Sequence, residues 1–131
     1  MLLGVRQSNL RIHKPNMYDV YKQKCPSRIV LEIISNKWVI LIIECLASHP
    51  HRFGELKRKI EGISAKVLSQ QLKCLEANGL VLRQDHSDYV LHVEYSLTFL
   101  GESLSSVCQT ITEWAKQHIN ELQLTKVDEV S

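Results

Sequence analysis

The sequence predicts a mainly α fold with a small β-hairpin, an α+β class, on three observations. Apolar residues recur at helical spacing through most of the chain. Two short runs, "LVLRQ" and "HVEYSL", carry the β-branched and aromatic residues of strands and are joined by the loop "DHSDYVL". After the second run comes a long stretch whose apolar positions alternate between four and three apart.

At 131 residues the chain is long enough to bury one core without disulfide staples. An apolar fraction of 44% and a charged fraction of 23% are ordinary for a globular protein and argue against global disorder. The net charge of +2 is small but unevenly spread, and a polyanionic partner responds to distribution. Arg6, Arg11, Lys14, Lys22 and Lys24 face only Asp19 near the start, and Arg52, Lys57, Arg58, Lys59, Lys66 and Lys73 outnumber Glu55 and Glu61 in the middle. Cys25, Cys45, Cys74 and Cys108 have no close sequence pairing, and the last three fall in apolar helical patterns. The longest apolar run, residues 38–43, is far short of the ~18 residues of a membrane span, and "MLLGV" is too short for a signal-peptide core. A reducing, cytoplasmic setting without a membrane partner is expected.

The elements follow in order. Residues 1–15 show no sustained period and read as a basic arm, after which Asn16 caps a short helix with Met17, Val20 and Tyr21 on one face. Pro26 opens the next helix, because proline fits the first helical position, and Ile29, Ile33 and Ile34 recur until about Asn36. "KWVILIIECLAS" is apolar almost all round, as a helix at the centre of a core is, with Trp38 a core anchor. His49, Pro50 and His51 break it and read as a surface loop. "RFGELKRKI" gives a brief helix with Phe53, Leu56 and Ile60 inward and Lys57, Arg58 and Lys59 outward.

The following helix has a start, two faces and a stop. Ser64 is a good N-cap, Leu68, Leu72 and Leu75 follow at i, i+4, i+7, and Asn78-Gly79 ends it. At about 100° per residue the leucines point one way while Lys66, Gln70 and Lys73 point nearly opposite, with Ser69 at the flank. The hairpin comes next, then "TFLGESLSSVCQTITEWAKQHINELQ", a long helix with the stripe Leu100, Leu104, Val107, Ile111, Trp114 and His118. A cationic helix directly before a two-stranded hairpin is the layout of a winged helix-turn-helix, whose second helix enters the major groove while the wing lies on adjacent backbone.

Five motifs, "CP" at Cys25-Pro26, "KW" at Lys37-Trp38, "RFGEL" from Arg52, "GISAKVLSQQLKCLEANGLVLR" from Gly62 and "VEYSLTFLGESL" from Val93, also carry a resemblance. In this order and spacing, from about Cys25 to His118, the chain resembles the HxlR-type winged-helix transcription regulators of bacteria. The resemblance implies a dimeric repressor or activator of a promoter with two half-sites, with no enzymatic activity and no cofactor. It matches residues 64–77 to the recognition helix and 81–97 to the strands and wing. Family members commonly have a proline-rich wing ending in arginine before "VEYSL"; here Val90, Leu91 and His92 stand at those positions, and Asp85 and Asp88 add negative charge.

The resulting organisation is a basic arm and short helix over 1–24, a DNA-binding domain over 25–97, a dimerisation helix over 98–122 and an acidic tail over 123–131. Candidate DNA contacts are Ser64, Lys66, Ser69, Gln70, Lys73, Arg52, Arg83 and His86, with lysines on phosphate and Gln70 and Ser69 placed to discriminate bases. Leu104, Val107, Ile111 and Trp114, assisted by Met17 and Tyr21, are the candidate homodimer contacts, since a helix of about seven turns exceeds what a small core needs. Cys25 falls at a helix N-cap near Lys22, Lys24 and Arg28, which favours a thiolate, and some members of the resembled family sense oxidants or electrophiles through a cysteine at this position. The expected partners are therefore double-stranded promoter DNA, a second copy of the chain and a small electrophile or oxidant. A cysteine enzyme using Cys25 with His13 or His118 lacks an orienting residue and oxyanion donors, and His49 with His51 lacks further metal ligands. The alternative is a winged-helix protein-interaction module that does not touch DNA, for which the acidic wing speaks.

Overall fold

The computed structural model describes residues 18–123; the basic arm, His13, Asn16, Met17 and the acidic end of the tail lie outside the described residues. The chain divides after Val39 into two compact units.

In the first unit, residues 19–24 form turns where a short helix was expected. The Asp19 carboxylate accepts the Tyr21 N–H at 3.0 Å and the Asp19 carbonyl accepts the Lys22 N–H at 2.9 Å, so a local aspartate turn displaces helical pairing. Helix α1 (Pro26–Ile34) begins at the proline, with Cys25 as an extended N-cap residue. None of its residues is buried, and Ile29, Val30 and Leu31 are exposed. Asn36 starts the next helix, α2 (Lys37–Ser48), by accepting the Trp38 N–H at 2.8 Å. Trp38 is half-buried, not a core anchor, and the Lys37 ammonium lies 4.8 Å from its ring centroid.

Most of α2 belongs to the second unit, where Ile42, Ile43, Cys45 and Leu46 are buried and Leu41 is exposed. Its one acid, Glu44, accepts a hydrogen bond from the Thr112 hydroxyl. Then follow β1 (His51–Arg52), α3 (Phe53–Lys59), α4 (Ala65–Ala77), β2 (Val81–Asp85), β3 (Val93–Leu97) and α5 (Phe99–His118). The core is completed by Leu56, Ile60, Ile63, Leu68, Leu72, Leu75, Leu80, Val81 and Cys108.

The strands form an antiparallel sheet in the order β1-β3-β2, with register pairs His51–Tyr95, Arg52–Glu94, Arg83–Tyr95 and Gln84–Glu94. The expected hairpin is thus a three-stranded sheet. His51 is only 4% exposed, which corrects its assignment to a surface loop. Its Nδ1 lies 2.8 Å from the His49 carbonyl and its ring stacks on His49 at 4.2 Å, so the buried polar edge has a partner. A two-residue strand after a proline shows no alternation by which a sequence could reveal it.

One junction ties these elements together. Gly79, at φ +75°, ends α4 with its N–H on the Glu76 carbonyl at 3.0 Å, and the Leu80 N–H returns to the Leu75 carbonyl at 2.9 Å, the two bonds of a Schellman stop. The Thr98 hydroxyl donates to the Gly79 carbonyl at 2.6 Å and accepts the Gly101 N–H at 3.0 Å, while the Thr98 N–H donates to the Leu80 carbonyl at 3.1 Å. The first turn of α5 approaches so closely that a Cβ on Gly101 would lie 2.1 Å from the Leu80 carbonyl oxygen. Replacing Gly101 with alanine is expected to cost about 1–3 kcal/mol or more, read as a lower urea midpoint at unchanged slope. Gly79→Ala should cost about 1–2 kcal/mol and Gly79→Asn clearly less, because asparagine tolerates the left-handed region. Equal losses for the two Gly79 variants, or none for Gly101→Ala, would contradict this junction.

Candidate nucleic-acid interface

Helix α4 has one buried and one open face. Leu68, Leu72 and Leu75 are at most 2% exposed, whereas Lys66, Gln70 and Lys73 are exposed and Ser69 is half-buried. Ser64 acts as the cap, its hydroxyl accepting the Val67 N–H at 3.1 Å. The ion pairs among the described residues involve only His86, His92 and Glu94, so neither lysine of α4 is neutralised by a neighbour within them. The open face therefore presents two ammonium groups and an amide that can both donate and accept.

Helix α3 and the turn at Gly62 lead into α4, and local chemistry accounts for the α3 charges. The Glu55 carboxylate accepts the Arg52 N–H at 2.7 Å, and that bond holds its carboxyl below the ordinary glutamate range. Lys57, Arg58 and Lys59 occupy the last turn, where cations offset the negative end of the helix dipole. The exposed Arg52 side chain reaches across to the wing and donates from Nη2 to the Leu91 carbonyl at 2.8 Å. Sequence alone misses this tether, because 39 positions separate its ends.

The wing is braced from within. The Asp85 carboxylate accepts the Ser87 N–H at 2.8 Å, and hydrogen bonds from Ser87 hold its carboxyl below the ordinary range. The Ser87 hydroxyl accepts the His92 N–H at 2.7 Å, and the His86 N–H donates to the His92 carbonyl at 2.7 Å. Beyond them Tyr89, Val90 and Leu91 project into solvent. Arg83 is exposed, and its pairing with Tyr95 puts it on the strand face opposite Glu94. The Glu94 carboxylate lies 3.3 Å from His92 Nε2 and 3.9 Å from His86 Nε2. Sequence reasoning singled out His86 but not His92 or Glu94 as a functional candidate; the only signal was their place on either side of one hairpin loop.

The candidate dimer residues lie on α5. Leu100, Val107, Ile111 and Trp114 are exposed and Leu104 half-buried, while Gly101 and Cys108 on the same helix are buried. His118 stacks on Trp114 at 4.6 Å and extends the stripe. Tyr21 is exposed. Among the cysteines, Cys25 is 4% exposed, Cys74 is half-buried, and burial pushes the Cys45 and Cys108 thiols up. Among the described residues no cluster of three or more His, Cys, Asp or Glu is arranged to hold a metal ion, and no helix is long and apolar enough to cross a membrane.

Residues 33–123 match the family model of the HxlR-like helix-turn-helix. The chain is 38% identical over 104 residues to YtfH of Escherichia coli (strain K12), described as an uncharacterized HTH-type transcriptional regulator, a match that covers 79% of this chain and 82% of that one. The solved structure of a putative transcriptional regulator ytfH from Salmonella typhimurium superposes with a TM-score of 0.72 at 38% identity, over 77% of this chain and 90% of that one. The redox regulator HypR in its oxidized form superposes with a TM-score of 0.66 at 32% identity, over 71% and 96%. A family match across most of the described fold, with relatives named as regulators and not as enzymes, settles the assignment: the chain belongs to the HxlR-like helix-turn-helix family of transcriptional regulators.

Proposed function

We propose that the protein is a homodimeric, sequence-specific DNA-binding regulator that works on promoter DNA in the bacterial cytoplasm. The observation that carries this reading is the open face of α4, where Lys66, Gln70 and Lys73 are exposed beside a fully buried leucine face. Lysine on phosphate supplies affinity and salt dependence, whereas Gln70, with Ser69 at the flank, reaches base edges that differ between base pairs. Ser64 shapes the start of the helix and keeps its hydroxyl proton for a phosphate. Arg52, Arg83 and His86 are proposed as outer backbone contacts. The exposed α5 stripe of Leu104, Val107, Ile111 and Trp114 supports pairing of two copies, with Tyr21 and Met17 as further contacts, which sets two α4 helices on two half-sites.

A redox-responsive form of this reading rests on Cys25. It is the N-cap residue of α1, and a structural neighbour is itself a redox regulator. Its burial means that reagent reaches it only when the surrounding segment opens. A quinone would add to the Cys25 thiolate without needing a second cysteine.

Fluorescence anisotropy on a duplex enriched by the protein from a random pool tests the DNA reading. Lys66→Ala and Lys73→Ala should each weaken binding across sequences and lower the salt slope by about 1, while Gln70→Ala should cost about 1–3 kcal/mol on the selected site and relax its selectivity. Binding that is absent, or indifferent to all three substitutions, would favour a protein-interaction module. For the thiol, benzoquinone should release DNA from the wild type and from Cys74→Ser but not from Cys25→Ser, with one added quinone on the Cys25 peptide by mass spectrometry. Release that persists in Cys25→Ser removes the sensing role.

A further inference from the structure

We propose that the hollow between α2 and the end of α3 is a binding site for a small organic amine, a molecule with one ammonium group on a hydrocarbon body. The site lies wholly within the second unit and does not depend on the DNA-binding reading. Leu41, Glu44 and Cys45 line it from α2, at positions i, i+3 and i+4 of one helix face. Lys59, the last residue of α3, and Ile60 and Glu61 after it line the other side. The volume is about 540 Å³, within the roughly 300–1,000 Å³ of pockets that take small organic molecules.

The lining offers hydrocarbon and one charge without a counter-charge. Leu41 and Ile60 are aliphatic, and burial pushes the Cys45 thiol up, so it stays a neutral part of the wall. Lys59 and Glu61 are exposed and opposite in sign, and at the rim they offset one another. Glu44 is different. It is half-buried, its partner is the neutral Thr112 hydroxyl, and among the described residues no cation lies within ion-pairing distance of it. A carboxylate that has lost part of its hydration gains most from a donor that carries charge. Thr112 donates to Oε2, which leaves Oε1 for a ligand.

Charge and hydrocarbon therefore select together. An anion meets two carboxylates against one ammonium, and a neutral molecule leaves Glu44 without a counter-charge. A second hollow shares Glu44 and Ser48, but α5 lines it with polar groups such as Ser105, Gln109 and Glu113, which give a hydrocarbon body little to bury against. An amine in the first hollow borders Ile60 and Glu61, which lead through Gly62 toward α4, and it reaches α5 by way of the Glu44–Thr112 bond.

The test follows backbone amide shifts of the isotope-labelled full chain during titration with phenethylamine, phenethyl alcohol and phenylacetate, which share an aromatic hydrocarbon body and differ in charge. The amine should bind about tenfold more tightly than the alcohol, as one charge-assisted hydrogen bond at a half-buried site provides. Phenylacetate should bind more weakly still, and the amine's shifts should centre on residues 41–48 and 59–61. Glu44→Gln keeps an oxygen for Thr112 but removes the charge, so the preference for the amine should vanish. Leu41→Lys, at an exposed position one turn from Glu44, should abolish it as well by placing a competing ammonium there. The site is overturned by an alcohol that binds as tightly as the amine, by a preference that survives both substitutions, or by shifts centred on residues 105–116 instead. It is equally overturned if the amine gives no saturable shift up to about 20 mM.

Discussion

The hydroxyl of Thr98 and the close approach beside it hold this fold in working order. It caps α5, bonds the carbonyl of the glycine that ends α4, and stands next to Leu80, whose backbone receives both the Thr98 N–H and the side-chain-free flank of Gly101. The end of α4, the base of the wing and the start of the long helix thus share one small set of atoms. An N-cap typically contributes about 1 kcal/mol by itself. Here the same group also fixes the angle at which α4 leaves the core, so its structural consequence exceeds its energy.

A second tether divides labour among the basic residues. Arg52 spans from the start of α3 to Leu91 in the wing, and Lys57, Arg58 and Lys59 answer the α3 dipole. Lys66 and Lys73 have no such structural task, and they lie on a helix whose opposite leucine face is buried. That contrast, more than the net charge, sets the open face of α4 apart from a generally basic surface. The wing brings the opposite sign, with Asp85, Asp88 and Glu94 against Arg83, and the His86 and His92 rings lie against Glu94.

Much of this was legible in the sequence where periodicity and punctuation coincide. Helix α4 could be read from cap to stop because Ser64, the three leucines and Asn78-Gly79 are all local signals, and the outward line follows from 3.6 residues per turn. The stripe on α5 is legible for the same reason, and most of its residues are exposed. What stayed hidden depends on partners distant in sequence. Strand β1 exists only because β3 offers it Tyr95 and Glu94, and Arg52 finds Leu91 only once the wing has folded back. The turns at residues 19–24 were missed because Asp19 satisfies its own neighbours and defeats a helical pattern of Val20 and Tyr21. Size alone points Trp38 to the core, whereas the Lys37 ammonium over its ring suits a half-exposed site.

The central claim is that α4 lies in the major groove and reads bases there, two copies at a time. Methylation interference at guanine N7, an atom open only in the major groove, addresses it directly on a selected duplex. Interference at two clusters of guanines, centred about 10 base pairs or a multiple of that apart, is the predicted result. Binding that ignores N7 methylation throughout the site would show that the helix is not in the groove, and would contradict the account.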